Sequence, residues 1–598
     1  MVVVDPKLES NRVRDLGGTV RPSSRIILAV LGAALLVLFA FACACTAVTG
    51  RSFELFALLA VLMGQWRLDG VQWAVCLAVV LAASLAVAGA AAAVRRGMAS
   101  GGAGRRNRTR VDGYAAAMGH GQAVDKVSRG RAERMARRLI AADRHDPHMA
   151  PGYPLGRNIV DGTEMATSWE DMAIVLAGPR SGKSLCYAIP AVLSAPGACL
   201  ATSNKGDILD VTAPIRRLNH PQGRIWVFDP ERIADPDRRR APWVWDLIAS
   251  VRSIADAKRI ADCWRYASGQ PQTGGDDFFP GTAAQQLSDY LFAARLGGRS
   301  VGDVFRWASN ERDTTPADIL SRYPEYGGIA GRVSSVIGLT PETRSGVFGS
   351  LQTMVAFLAD PDVIDWIQPR EGDGTPQGRA VFDPYEFATS EDTLYLLSAQ
   401  GRPSTALTAS LTAVVAFTAF QRAQSEFADN NRRLPVPLCC VLDEAANICR
   451  WPELSDVYSY FGSSGIPIMT IWQNPDQGKA AFGETNFGSL FNNANVMVYL
   501  GGIKDSGFLG EISQLVGQRD VVRSNVTVDG RGSRTVNRTV QQEDIMPVSR
   551  LAEWPIGRAL VLASQSRAQI VATLPWTENR EWTGALEKAG KTDRGKAA

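Results

Sequence analysis

Histidine is scarce in this chain, with four residues in 598, at positions 120, 145, 148 and 220. Only His145 and His148 share a spacing that could hold a metal. No matching pair stands elsewhere in the sequence, so a solvated turn accounts for them better than a metal centre. Cysteine excludes as much as histidine does. The nine cysteines (43, 45, 76, 186, 199, 263, 439, 440 and 449) form no C-x-x-C and no Cys/His ligand spacing, and most lie in apolar runs. That pattern offers no metal-ligand spacing and suits a reducing compartment. An excess of one charge is missing too: 64 Lys and Arg against 60 Asp and Glu leave +4, which decides little about partners. What remains is ordinary globular composition, 46% hydrophobic and 21% charged, on a chain long enough for two or three domains.

Charge is wholly absent from two long stretches, Ile26 to Gly50 and Val71 to Val94. Each exceeds the roughly 20 residues that a bilayer-spanning helix needs, so the sequence predicts a membrane anchor over 26–96 with spans at 26–50 and 71–94. A cleaved signal peptide fits poorly, because a second span follows. Arginines crowd the outer flanks (12, 14, 21, 25, then 95, 96, 105, 106), whereas the connection balances Arg51 and Arg67 against Glu54 and Asp69. By the positive-inside rule both termini of this multi-pass protein, including the tail 1–25, are expected to be cytoplasmic. The apolar stretch Leu55 to Trp66 is too short to span and is expected at the outer interface or against a partner. Residues 97–150 read as a basic linker, with Arg clusters suited to anionic lipid head groups or to nucleic acid.

Beyond the linker, Ala177-Gly-Pro-Arg-Ser-Gly-Lys-Ser184 follows the apolar run of Met172 to Leu176 and precedes a helix-like segment. Strand, Gly-rich turn and helix together make a phosphate loop, because successive N–H groups and the helix start converge on one anion. Gly178, Pro179, Arg180, Ser181, Gly182, Lys183, Ser184 and Leu185 are the candidate ATP-binding residues. Gly182 would let the backbone approach, Lys183 would neutralise the β/γ oxygens, and Ser184 would hold Mg²⁺. The loop departs from the usual pattern in one place: Ala177 stands where a glycine is expected.

Apolar β runs then alternate with helical patterns, predicting a parallel sheet covered on both faces, built from 151–250 and 368–580. From 251 to 367 the apolar spacing is helical with no strand, so an all-helical insert is expected there. Pro437 to Ile448 carries a continuous apolar strand ending in Asp443 and Glu444. Asp443 is the candidate metal ligand beside Ser184, and Glu444 the group that orients an attacking water. Gln473 ends the next apolar run and should lie beside them at the carboxyl edge of the sheet, able to sense the γ-phosphate. Asp520 to Gln542 reads as an exposed hairpin, and 581–598 as a disordered tail.

In that order, the two spans, GPRSGKS, SNKGD, VFDP, the helical insert, VLDEAANI, GIPIMTIWQNPDQ and NNANVMVYLGG resemble the type IV secretion-system coupling proteins, the TraG-like conjugative DNA-transfer ATPases. The resemblance implies an α/β, RecA-like P-loop NTPase domain with an inserted all-helical domain, hung from two transmembrane helices and facing the cytoplasm as a homohexamer. It implies ATP and Mg²⁺ as cofactors, with Lys183, Glu444 and Gln473 in the catalytic positions. Its implied partners are relaxase-bound single-stranded DNA or a protein substrate, the channel components and membrane lipid. Two positions depart from the family. Ser203 stands where an acid is usual, and Tyr460 to Ser464 lacks the arginine often found before the GI motif, leaving Arg344 as a weaker candidate finger. A double-strand translocase of the FtsK type, and a nucleotide-binding receptor without turnover, are the alternative readings.

Overall fold

The computed structural model describes residues 39–50, 58, 61, 63–64, 67–84, 109–269, 278–399, 404–528 and 534–596. They form two compact units, one up to Arg108 and one from Thr109 onward.

In the first unit, apolar helices Phe39–Thr49 and Gly70–Ser84 pack on each other through Phe41, Ala42, Cys45 and Cys76. Over their described residues both fall short of a membrane-crossing length, and the rest of the expected spans 26–50 and 71–94 lies outside the described residues.

The second unit is an α/β fold on an eleven-stranded mixed sheet. Its strands are β1 (Pro154–Asn158), β2 (Glu164–Ala166), β3 (Ala173–Leu176), β4 (Cys199–Ser203), β5 (Ile225–Phe228), β8 (Thr393–Leu397), β9 (Cys439–Leu442), β10 (Ile468–Trp472), β11 (Val496–Tyr499), β14 (Arg558–Ala563) and β15 (Gln569–Ala572). The order is β2-β1-β15-β14-β11-β3-β10-β9-β4-β8-β5. From β11 to β5 all neighbours are parallel, whereas β14, β15, β1 and β2 are added antiparallel. The expected parallel sheet is thus corrected to a mixed one. Strands β6 (Trp243–Trp245) and β7 (Ala380–Phe382) pair apart from it, as do β12 (Gln518–Val528) and β13 (Arg534–Asp544), which form a long hairpin.

The parallel strands are continuous apolar runs because both faces are covered. On β3, Ile174 and Leu176 enter one buried cluster while Ala173 and Val175 enter the other, and Cys440/Leu442 and Cys439/Val441 divide the same way on β9. Helix Ser404–Glu426 is long and apolar enough to cross a membrane, but it lies buried against this sheet. Between β6 and β7 run the helices of the insert, from Ile254–Ala267 to Pro361–Ile367. They share the core of the sheet: Ile260, Trp264 and Leu287 belong to the same cluster as Ile174.

The expected basic linker and disordered tail are both built into the fold from residue 109 onward. Within 97–150, helix Arg129–Leu139 buries Ala132, Ala136 and Leu139, Gly119 N–H donates to the Ala568 carbonyl, and Asp112 receives Arg558 at 2.8 Å. Its arginines mask a buried alanine face, so from residue 109 onward this is no linker. Within 581–598 the chain continues helix Arg580–Lys596, with Trp582, Ala585 and Leu586 packed on the core at helical spacing.

Candidate nucleotide-binding site

The parallel register sets the tips of β3, β10, β9 and β4 level with one another, with Trp472 opposite Leu176, Thr470 opposite Leu442 and Thr202 opposite Leu442. Whatever follows those strands therefore meets at one edge. After β3 comes the loop. Ala177 N–H donates to Trp472 and Gly178 N–H to Gly501, so the chain leaves the sheet pinned between its neighbours. A Cβ on Gly178 would lie 2.6 Å from the Gly502 carbonyl oxygen, which leaves room only for glycine. Arg180 and Gly182 take positive φ of 60° and 88°, turning the backbone into a concave nest. Ser181 closes it by donating to the Gly178 carbonyl at 2.7 Å. Ser184 opens a single π-helical turn, Ser184–Ala188, that passes into helix Ile189–Ser194. Pro190 has no N–H to return to the carbonyl four residues back, so the helical ladder shifts register here. Pro179, Arg180 and Leu185 are exposed, the last by 40%.

Lys183 points across this edge to the acids after β9. Its Nζ lies 3.2 Å from Asp443 Oδ1 and also bonds Glu444 Oε1. Gln473 Nε2 donates to the same Glu444 oxygen, and Asn447 Nδ2 holds the other at 3.1 Å. Thr202 on β4 fixes the turn by donating to the Asp443 carbonyl at 2.8 Å. Glu444 adopts φ 55°, a left-handed conformation that costs a non-glycine residue roughly 1–2 kcal/mol. That turn is what sends two successive side chains toward the loop. Both carboxylates are nearly sealed from solvent, at 3% and 4% exposure. Burial pushes the Asp443 carboxyl up to about 6. Lys183 holds it down, while Glu444 and Asp207 add to the rise.

The structure thus brings Lys183, Asp443, Glu444 and Gln473 together. Asn447, Thr202 and Asp207 were missed in the sequence, although Asn447 stands three residues after Glu444 in a helix-forming string. Asp207, in the same SNKGD segment, sits four residues beyond Ser203, whose own hydroxyl accepts the Lys205 N–H at 3.2 Å. Arg344 is not a free finger. It is engaged inside the insert, donating to the carbonyls of Ile337 and Leu339 at 3.0 Å each and pairing with Glu311 at 3.3 Å. His148 lies in a turn closed on Asp146, and no group of three His, Cys, Asp or Glu able to hold a metal occurs among the described residues.

No curated protein matches this sequence. Similar solved structures include the bacterial conjugative coupling protein TrwBdeltaN70 in its unbound monoclinic form (16% identity, 75% of this chain and 92% of that one covered, TM-score 0.49). Another is plasmid coupling protein TrwB in complex with the non-hydrolysable GTP analogue GDPNP (15%, 76% and 96%, 0.49). A third is VirB4 of Thermoanaerobacter pseudethanolicus (14%, 72% and 97%, 0.36). Residues 437–555 match the family model described as the TraM recognition site of TraD and TraG. That stretch carries β9 to β13 with Asp443, Glu444 and Gln473, and through it the chain is similar to the coupling proteins that its motifs resemble.

Proposed function

We propose that this chain is a membrane-anchored ATPase that drives relaxase-bound single-stranded DNA, or a protein substrate, into a type IV secretion channel. The observation that carries the reading is the convergence of Lys183, Asp443, Glu444 and Gln473 on one sheet edge, in a chain whose residues 437–555 match the coupling-protein model.

The site fits ATP with Mg²⁺. Its loop is a backbone nest suited to phosphate, and its two buried carboxylates face a single ammonium, which leaves negative charge for a divalent cation to offset. Bound there, the nucleotide and metal would supply the phosphoanhydride and neutralise its charge. Ser184 and Asp443 would hold the cation. Lys183 would hold the phosphates of the nucleotide, and Glu444 would accept a proton from water. Asn447 and Gln473, which donate to its two oxygens, keep the Glu444 side chain aimed. The RecA-like motor faces the cytoplasm at the inner membrane, held by two spans, and works as a homohexamer. Segment 437–555 offers the surface on which a TraM-type relaxosome component docks.

The test is multiple-turnover ATP hydrolysis by the full chain in membranes, with and without single-stranded DNA, alongside DNA transfer in cells. Lys183→Ala should abolish both while the protein stays membrane-bound, and arginine should not rescue it because the site wants a compact charge. Normal transfer by Lys183→Ala sinks the reading.

A further inference from the structure

We propose that Cys45 and Cys76 form a disulfide that joins the two helices of the membrane anchor. Their Sγ atoms lie 3.5 Å apart, both side chains are fully buried, and the contact bridges 31 residues of sequence. A covalent S–S bond needs an approach of only about 1.5 Å from there. Neither cysteine meets another sulfur from its own helix. Cys43, two residues before Cys45, is exposed on the other side.

Their position in the hairpin matters as much as their distance. Cys45 stands one turn from the end of helix Phe39–Thr49, and Cys76 less than two turns from the start of Gly70–Ser84. Gln72 Nε2 reaches the Val48 carbonyl beside them, at 3.4 Å. Both thiols therefore sit at the end where the 50–69 connection joins the helices. The inference rests on the anchor reading above, in which that end faces the outer, oxidising side of the membrane.

The chemistry is thiol–disulfide exchange with a disulfide-carrying protein oxidant of the cell envelope. One thiolate attacks the oxidant's disulfide, giving a mixed disulfide, and the second thiolate displaces it. The product is Cys45–Cys76, and the two electrons and two protons leave with the oxidant as its dithiol. Exchange takes place while the hairpin is still open. Once the helices pack, the bond is buried and shielded from reduction.

The sequence provides its own assay, because Arg51 and Arg67 place the two cysteines in different tryptic peptides. Full-length protein in native membranes is alkylated without reductant, digested and analysed by mass spectrometry before and after reduction. The expected result is a cross-linked pair of peptides that separates on reduction and is lost in Cys76→Ser. Recovery of Cys45 and Cys76 both alkylated, with no cross-linked pair, overturns the proposal. Protease added to spheroplasts tests the anchor separately. If the motor unit is protected and the thiols are free, only the disulfide fails; if the motor unit is cut, the orientation fails as well.

Discussion

Two carboxylates share one ammonium at the tip of β9, and each acid answers to a different experiment. Glu444→Gln keeps the shape but cannot take a proton, so nucleotide should still bind while turnover falls about a hundredfold, the scale of one general-base contact. If that variant hydrolyses ATP like the parent while Asp443→Asn does not, the two roles are reversed. Asp443 is read by pH. Its folded value, about 6, lies above the ordinary carboxyl value near 3.9, so between the two the folded protein binds more protons than the unfolded one. Stability of the nucleotide-free protein therefore falls as pH rises through that window, by on the order of 3 kcal/mol, and the loss is complete above about pH 6. Asp443→Asn should remove the slope. Urea unfolding of parent and variant across about pH 4 to 7 checks it, and a parent-to-variant difference that stays flat would contradict the assignment.

At the scale of elements, the loop depends on a contact between glycines. Gly178→Ala would press a methyl group onto the Gly502 backbone, which cannot yield as a flexible side chain can. The expected cost is about 1–3 kcal/mol, together with a displaced nest and weaker binding of a fluorescent nucleotide. Binding at parental strength would show that the loop tolerates the shift. The β runs that the sequence made legible were those buried on both faces, from Ala173-Ile-Val-Leu176 to Val496-Met-Val-Tyr499, because continuous apolar composition marks such strands. Strand β1 lies within Gly152 to Val160, which reads as a short strand in the sequence, whereas β2 and β15 gave no such signal: β2 has three residues and β15 opens on the buried Gln569. Edge strands of this kind are specified by partners far away in sequence. Lys183, Asp443, Glu444 and Gln473 were legible because each follows an apolar strand. Arg344 was misjudged because its carbonyl partners belong to the end of a neighbouring helix, which composition does not mark.

As a whole molecule, the unit from Thr109 onward carries both large cores and every residue of the site. A fragment lacking residues 1–96 should therefore be soluble and bind nucleotide. It should hydrolyse ATP poorly when dilute, because the proposed ring loses the millimolar effective concentration that tethering in one plane provides. Single-stranded DNA should partly restore the rate by serving as a common template, and added salt should erase that gain as counterion release weakens. Rates per subunit measured against protein concentration at two salt levels decide the matter. A rate indifferent to concentration and to DNA would argue for a monomeric ATPase.

The sheet order also sets a timetable for synthesis. Strand β3, from which the phosphate loop springs, lies between β10 and β11, and Ala173 pairs with Met469 on one side and Val496 on the other. The second partner leaves the ribosome about 320 residues later, some 16–65 s at ordinary elongation rates. For most of that interval this fully buried strand has no lateral hydrogen-bond partner, because β10 emerges only about 25 residues before β11. A nascent chain stalled anywhere before residue 496 should therefore be captured by chaperones and fail to retain nucleotide, and competence should appear abruptly once β11 emerges.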